Sequence, residues 1–187
     1  RCFEDGNITH VEGKVDPIRD IEIIHVELVL ADLEVIDARL GRLGKKAEMT
    51  KDKATLLEVN LMKRIKENLE KNIPARALEY SEDELKLLKS FNLLTMKPII
   101  YVSNVKETEI QTEKKPVQQV KEYAKKEKSE VIVVCAKIEE ELSELDDEDK
   151  TLFLQELGLR ESGLDQLIRA TYSLLGLATY FTEGTDE

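Results

Sequence analysis

The chain has no tryptophan, only two cysteines and four prolines among 187 residues, and aromatics make up 5% of it. Each shortage removes a class of protein. Cys2 and Cys135 lie far apart, with no C-x-x-C and no Cys/His spacing of the zinc-binding kind, so neither a disulfide scaffold nor a metal module is expected. Both thiols are expected to be reduced and partly buried. No apolar run approaches the roughly 18 residues that a membrane span requires. No secretory leader is visible, and a cytoplasmic protein with no membrane partner is expected. Positive charge is also short. Asp and Glu number 39 against 28 Lys and Arg, a net charge of -11. That balance speaks against an electrostatic grip on nucleic acid by the chain as a whole. Finally, no Gly-x-x-x-x-Gly-Lys-[Ser/Thr] phosphate loop is present. Gly41-Arg-Leu-Gly-Lys45 has only two residues between its glycines and is expected to be a helix C-cap.

What the chain has is charge and helix formers. Charged residues are 36% of it, and Leu, Glu and Lys dominate, which favours helix. Arg1-Cys-Phe-Glu4 lacks an initiator Met and reads as the tail of a strand, so the chain is expected to be a piece of a longer protein. Asp5-Gly6-Asn7 signals a turn, and Ile8 to Val11 reads as a short extended segment. Asp16-Pro17 opens a long helix, Asp as N-cap and Pro at the first position. Ile21, Ile24, Leu28, Ala31, Val35 and Ala38 form one apolar stripe on it. Val26, Leu30, Leu33, Ile36, Leu40 and Leu43 form a second. Gly41 and Gly44 are expected to end it, with Arg39, Arg42 and Lys45 near the carboxyl dipole. A second helix is expected from Thr50 or Asp52 to about Asn72, its apolar side being Leu57, Leu61, Ile65, Leu69 and Ile73. Two long helices joined by a short basic turn predict a coiled-coil-like antiparallel hairpin. Ser81-Glu-Asp-Glu84 is a capping box for a helix to about Phe91.

The second half has a different rhythm. Ile99 to Val102 follows a proline and reads as a buried strand ending in Ser103-Asn104. The pattern recurs ~30 residues later as Val131 to Val134, followed by Cys135-Ala136-Lys137. Between them Val117 to Glu127 reads as a helix, and strand, helix, parallel strand is the βαβ unit. Helices are expected over 138–145, 148–157 and 164–175, with Gly158 and Gly163 separating the last two. Thr179 to Thr182 reads as the start of a strand. In such sheets ligands lie at the carboxyl ends of the strands.

Asn104-Val105-Lys106-Glu107 lies at such an end and resembles the base-recognition loop of GTPase folds, Asn-Lys-x-Asp. There the Asp carboxylate accepts two hydrogen bonds from guanine, and the Lys packs along the base. Here Val105 replaces that Lys, and Glu107 is one methylene longer than Asp. Both changes should weaken guanine selectivity. An isolated Asn-x-x-Glu matches by chance often and also suits a surface loop. Cys135-Ala136-Lys137, after the next parallel strand, occupies the place of the GTPase Ser-Ala-Lys loop. Two such loops on consecutive strands converge on one ligand. His10 and His25 have no triad partner and are expected in core or surface roles. Glu139 to Glu141 and Asp146-Asp147 are expected to be a solvated face or helix N-terminal charge rather than a metal site. Lys45, Lys46, Lys51 and Lys53, at the hairpin tip, are the candidate contact with RNA or ribosome; the plain alternative is a solvated turn.

Arg1-Cys-Phe-Glu4, Ile8 through Pro17, Asp20-Ile21, Glu27-Leu28, Leu93 through Pro98, Asn104-x-x-Glu107, Glu144 through Asp147, Gly163-Leu164 and Tyr180-Phe-Thr182 together resemble the YchF subfamily of Obg-related (TRAFAC) P-loop NTPases. The resemblance runs essentially end to end. It implies an α/β fold: a partial P-loop G domain interrupted by the α-helical hairpin. Residues 1–18 would be the end of its first half, 19–90 the insertion, 91–178 the second half with the base loops, and 179–187 the start of a linker to a small TGS domain. It also implies binding and hydrolysis of ATP, often in preference to GTP, with Mg²⁺ in the full-length protein, and association with ribosome and RNA. Asn104, Val105, Glu107, Cys135, Ala136 and Lys137 match its base-binding positions. The phosphate loop and the TGS domain would lie outside these 187 residues, so the chain alone is expected to hold no nucleotide tightly and to hydrolyse none. An unpaired sheet edge would invite self-association. The alternative is a binding module, in which the hairpin docks on ribosome, RNA or protein without nucleotide chemistry.

Overall fold

The computed structural model describes residues 1–6, 13–50 and 52–181, with no side chains described at 45–48 and 50. It is mostly helical, with a small sheet that has two strands among the described residues. The chain divides into two compact units, Arg19–Pro98 and Arg1–Ile18 with Ile99–Glu187.

The helical unit is built on α1 (Pro17–Thr50) and α2 (Lys53–Leu69). They run antiparallel: His25 Nε2 meets the Asn72 carbonyl at 3.3 Å, and Lys66 pairs with Asp37 at 2.6 Å. α1 does not stop at Gly41 or Gly44; it passes through both and reaches Thr50. A left-handed cap needs positive φ, and neither glycine adopts it. Each interior glycine costs about 1 kcal/mol relative to Ala, but Leu40, Arg42, Leu43, Lys45, Lys46 and Ala47 are strong helix formers and carry the helix on. Arg39 therefore lies inside α1, stacked 4.9 Å over the Phe91 ring. The first expected stripe is not the buried side of α1, since Ile24 and Val35 are exposed. Of the second, Ile36 is buried and Leu33, Leu40 and Leu43 pack against the core, while Val26 and Leu30 are exposed; Val29 and Asp32, in neither stripe, are buried. Counting apolar residues passes over the polar one that the packing selects.

Asp52 caps α2 by accepting from Thr55 N–H at 3.0 Å. Val59, Leu61, Met62, Ile65 and Leu69 are buried, while Leu57 and Ile73 are partly exposed. A 3-10 turn follows over Ala75–Ala77, then α3 (Glu82–Phe91). Ser81 and Glu84 make both bonds of the capping box, and Asn92 ends α3 in the left-handed region at φ 53°. Val29, Ile36, Leu61, Met62, Ile65, Leu88, Phe91 and Leu93 pack into one core. At about 1.5–3 kcal/mol per large buried apolar side chain, this core is what holds the helices together. Asp32, 1% exposed, is satisfied within it. Its carboxylate accepts from Leu94 N (2.8 Å), Thr95 N (2.7 Å) and Thr95 Oγ1 (2.6 Å).

In the other unit, β1 (Ile100–Asn104) and β2 (Glu130–Val134) are parallel, with Asn104 opposite Val134. α4 (Lys115–Glu127) joins them and buries Val117, Val120 and Ala124. Tyr101 donates to Glu127 at 2.7 Å and meets Tyr123 edge-on at 6.0 Å, tying β1 to α4. β1 is not the fully buried strand expected. Val102 is 45% exposed, and Ser103 is the buried position.

After β2 come α5 (Ala136–Ser143), α6 (Asp147–Glu156) and α7 (Gly163–Leu174). Cys135, Ile138 and Leu142 pack with Phe153 and Leu157. A Cβ on Gly163 would sit 2.7 Å from Val134 Cγ1, so α7 can approach β2 only through a glycine. Residues 1–5 form no strand, contrary to the sequence reading; Cys2 N–H makes one bond to Asn104 O at 2.9 Å. Residues 179–181 are likewise irregular, and Thr182 and the 8–11 segment lie outside the described residues. Among the described residues, no helix is long and apolar enough to cross a membrane.

Candidate functional site

Parallel pairing in register brings both strands to an end at the same level. The ladder continues one bond further, from Val105 N–H to Val134 O at 2.9 Å. The chain then turns away on both strands, at Lys106 and at Cys135. The polar residues that follow each strand are thereby brought side by side.

A direct bond joins the two turns. Asn104 Oδ1 accepts from Ala136 N–H at 3.1 Å, across 32 residues of sequence. The Asn side chain does for the two loops what a backbone ladder does for the strands. Val105 and Cys135 are buried, at 3% and 2% exposure, and form the floor. Ala136 opens α5 and has no bulk to obstruct the approach to its backbone.

Charge gathers at the mouth. Lys137 Nζ donates to Glu107 Oε2 at 2.9 Å and lies 3.4 Å from Glu141 Oε1. Those carboxylates hold the Lys137 ammonium above its ordinary range, the Glu107 hydrogen bond contributing most. Lys106 Nζ lies 3.9 Å from Asp5 and 6.0 Å from the Phe3 ring centroid, with the Arg1 guanidinium 5.3 Å from the same ring.

These groups surround one cavity of about 470 Å³, within the range typical of small-ligand sites. Asn104, Val105, Glu107, Cys135, Ala136 and Lys137, the six residues singled out in the sequence, all line it. So do Phe3, Asp5, Lys106, Thr108 and Glu140, which the loop motifs did not point to. Phe3 could have been noticed from scarcity alone, being one of only four phenylalanines.

Two of the acidic residues weighed as metal ligands hold backbone amides. Glu139 accepts from Gly163 N (2.8 Å) and Leu164 N (3.2 Å), holding the start of α7. Asp146 caps α6 through Glu148 N and Asp149 N. Among the described residues no three His, Cys, Asp or Glu side chains gather as a metal site. His10 and Lys51, and the side chains of Lys45 and Lys46, lie outside what the structure describes; Lys53 is exposed at the start of α2.

No protein-family model matches the chain. Individual proteins do. A Bacillus subtilis protein described as ribosome-binding ATPase YchF is 54% identical over 189 residues, covering 100% of this chain and 51% of that protein. The Haemophilus influenzae protein of the same description is 46% identical over 188 residues, with the same coverage. Among solved structures, that of the Schizosaccharomyces pombe YchF GTPase superposes with a TM-score of 0.85 at 30% identity, covering 99% of this chain and 51% of that one. The chain thus spans about half the length of the relatives it matches.

Proposed function

Given that the chain belongs to the YchF family, we propose that it carries the base-recognising part of a nucleotide-binding domain, with a helical hairpin inserted ahead of it. In this reading 1–18 and 91–178 are parts of a P-loop G domain, 19–90 is its coiled-coil insertion, and 179–187 leads toward a further domain. The whole protein would bind and hydrolyse ATP, often in preference to GTP.

One observation carries the reading. Asn104 bonds directly to the Ala136 amide, so the two strand-end loops line a single cavity. The chemistry of the lining suits a purine. Val105 and Cys135 give the cavity apolar lining for a ring, Phe3 adds an aromatic side chain, and the Glu107 carboxylate offers an acceptor to an exocyclic amino group. Val105 in place of Lys, and Glu in place of Asp at 107, argue for adenine over guanine.

Phosphates and Mg²⁺ would be held by groups other than those described. The 187 residues contain no phosphate-loop motif, and a phosphoryl-transfer site depends on that loop for positioning and charge stabilisation. The chain on its own is therefore proposed to be catalytically silent. The ribosome, which the description of the bacterial relatives names, is the proposed partner of the whole protein, and co-sedimentation is its check. Docking through the hairpin would not compete with this reading, because nucleotide state could control it.

The decisive experiment exchanges the base loop. Val105→Lys with Glu107→Asp, in a full-length YchF-family protein carrying this segment, should shift the ATP-to-GTP affinity ratio toward GTP by roughly tenfold or more. A ratio that stays put means the loop is wrongly assigned.

A further inference from the structure

The base-loop reading places Lys137 in the second base loop but gives its ammonium, beside the cavity, no role of its own. It is 64% exposed, yet it is held on two sides. Glu141, one turn along α5, draws it from behind, and Glu107 receives it in front at 2.9 Å. The i,i+4 spacing fixes the direction in which Lys137 leans. The Lys137 ammonium stays charged throughout the neutral range, since both carboxylates favour its protonated form.

We propose that Lys137 is a base-selectivity residue: by occupying Glu107 Oε2 it leaves the carboxylate one free oxygen, enough for adenine and too little for guanine. This rests on the cavity being a base site. The chemistry is a matter of donors. Guanine presents two adjacent N–H groups, at N1 and N2, and a carboxylate satisfies both only with both oxygens. Adenine presents a single amino group at that edge, and its N1 is an acceptor. Among the described residues, Glu107 Oε1 has no partner and Oε2 has Lys137. Guanine would have to displace the lysine or leave a donor unsatisfied at the cavity mouth. Adenine needs neither. On this view the discrimination comes from an occupied oxygen as much as from the extra methylene of Glu107.

A pair this exposed is weak and screened by salt, which fixes the size and the signature of the effect. The test uses the Bacillus subtilis relative with its matching segment replaced by residues 1–187, and measures equilibrium affinities for ATP and GTP by calorimetry. Lys137→Ala should raise GTP affinity relative to ATP about three- to fivefold at low ionic strength. Lys137→Arg should preserve the starting ratio, because its fork also engages the carboxylate. In the unmutated protein the ratio should drift toward GTP as salt rises. If Lys137→Ala leaves the ratio unchanged while Glu107→Ala alters it, the lysine has no selective role and the base loop stands. If neither change moves the ratio, the cavity is not a base site. If Lys137→Ala weakens both nucleotides equally, Lys137 is a general contact and the proposal is wrong.

Discussion

The two units treat a carboxylate in opposite ways. In the helical unit Asp32 is buried, and three donors from Leu94 and Thr95 converge on it. In the sheet unit Glu107 stands at a cavity mouth, 40% exposed, with one lysine on one oxygen. The first arrangement fixes a fold. A buried anion with its acceptors satisfied pins the 94–95 segment to α1, and α1 cannot slide without orphaning those donors. The second leaves acceptor capacity facing an opening, which is what a binding group requires. Burial with complete hydrogen bonding marks a structural polar group. Exposure with incomplete hydrogen bonding, beside a cavity, marks a candidate functional one.

The largest effect expected would break that contrast if it failed to appear. Asp32→Ala removes the acceptor of three hydrogen bonds and leaves their donors without partners in the core. The loss should be about 3 kcal/mol or more, read by chemical denaturation as an earlier unfolding transition. Glu107→Ala should change stability by no more than about 0.5 kcal/mol, the range for substitutions at exposed sites. Comparable losses from the two would mean that Glu107 is a structural residue after all.

The same contrast explains what the sequence disclosed. Local signals were legible: Pro17 at the start of α1, Asp52 before α2, the Ser81–Glu84 box, and both strands to within two residues. Each depends on residues within one turn or one strand. Asp32 was not legible, because its partners lie 62 and 63 residues away and nothing near it announces them. The same long-range packing decided which face of α1 is buried, leaving Ile24 and Val35 outside. Gly41 and Gly44 misled for a related reason. A glycine can end a helix, but the flanking helix formers decide whether it does. At the cavity, the six loop residues could be grouped in advance because strand ends in a βαβ unit must meet. Phe3 and Asp5 could not, since the 80 residues Arg19–Pro98 separate them in sequence from both loops.

A third carboxylate lies between the two extremes and gives a finer test. Glu84 is 14% exposed at its side chain, accepts from Ser81 N–H at 2.8 Å and pairs with Arg64 at 3.1 Å. The Ser81 backbone bond is the main cause holding its carboxyl below the ordinary glutamate range, with Arg64 adding to it and partial burial opposing. A depressed carboxyl stabilises the fold above the unfolded-state value of about 4.3, and that contribution disappears as pH falls through the lower folded-state value. Glu84→Gln keeps an acceptor for Ser81 but loses the charge. At neutral pH it should cost about 0.5–1 kcal/mol, seen as a slightly lower melting temperature of the helical unit. As pH drops below the ordinary glutamate range the two proteins should converge, because the native side chain becomes neutral as well. A difference that persisted undiminished in acid would show that the carboxylate acts through shape rather than charge, and Glu84 would then join Asp32 as a packing residue.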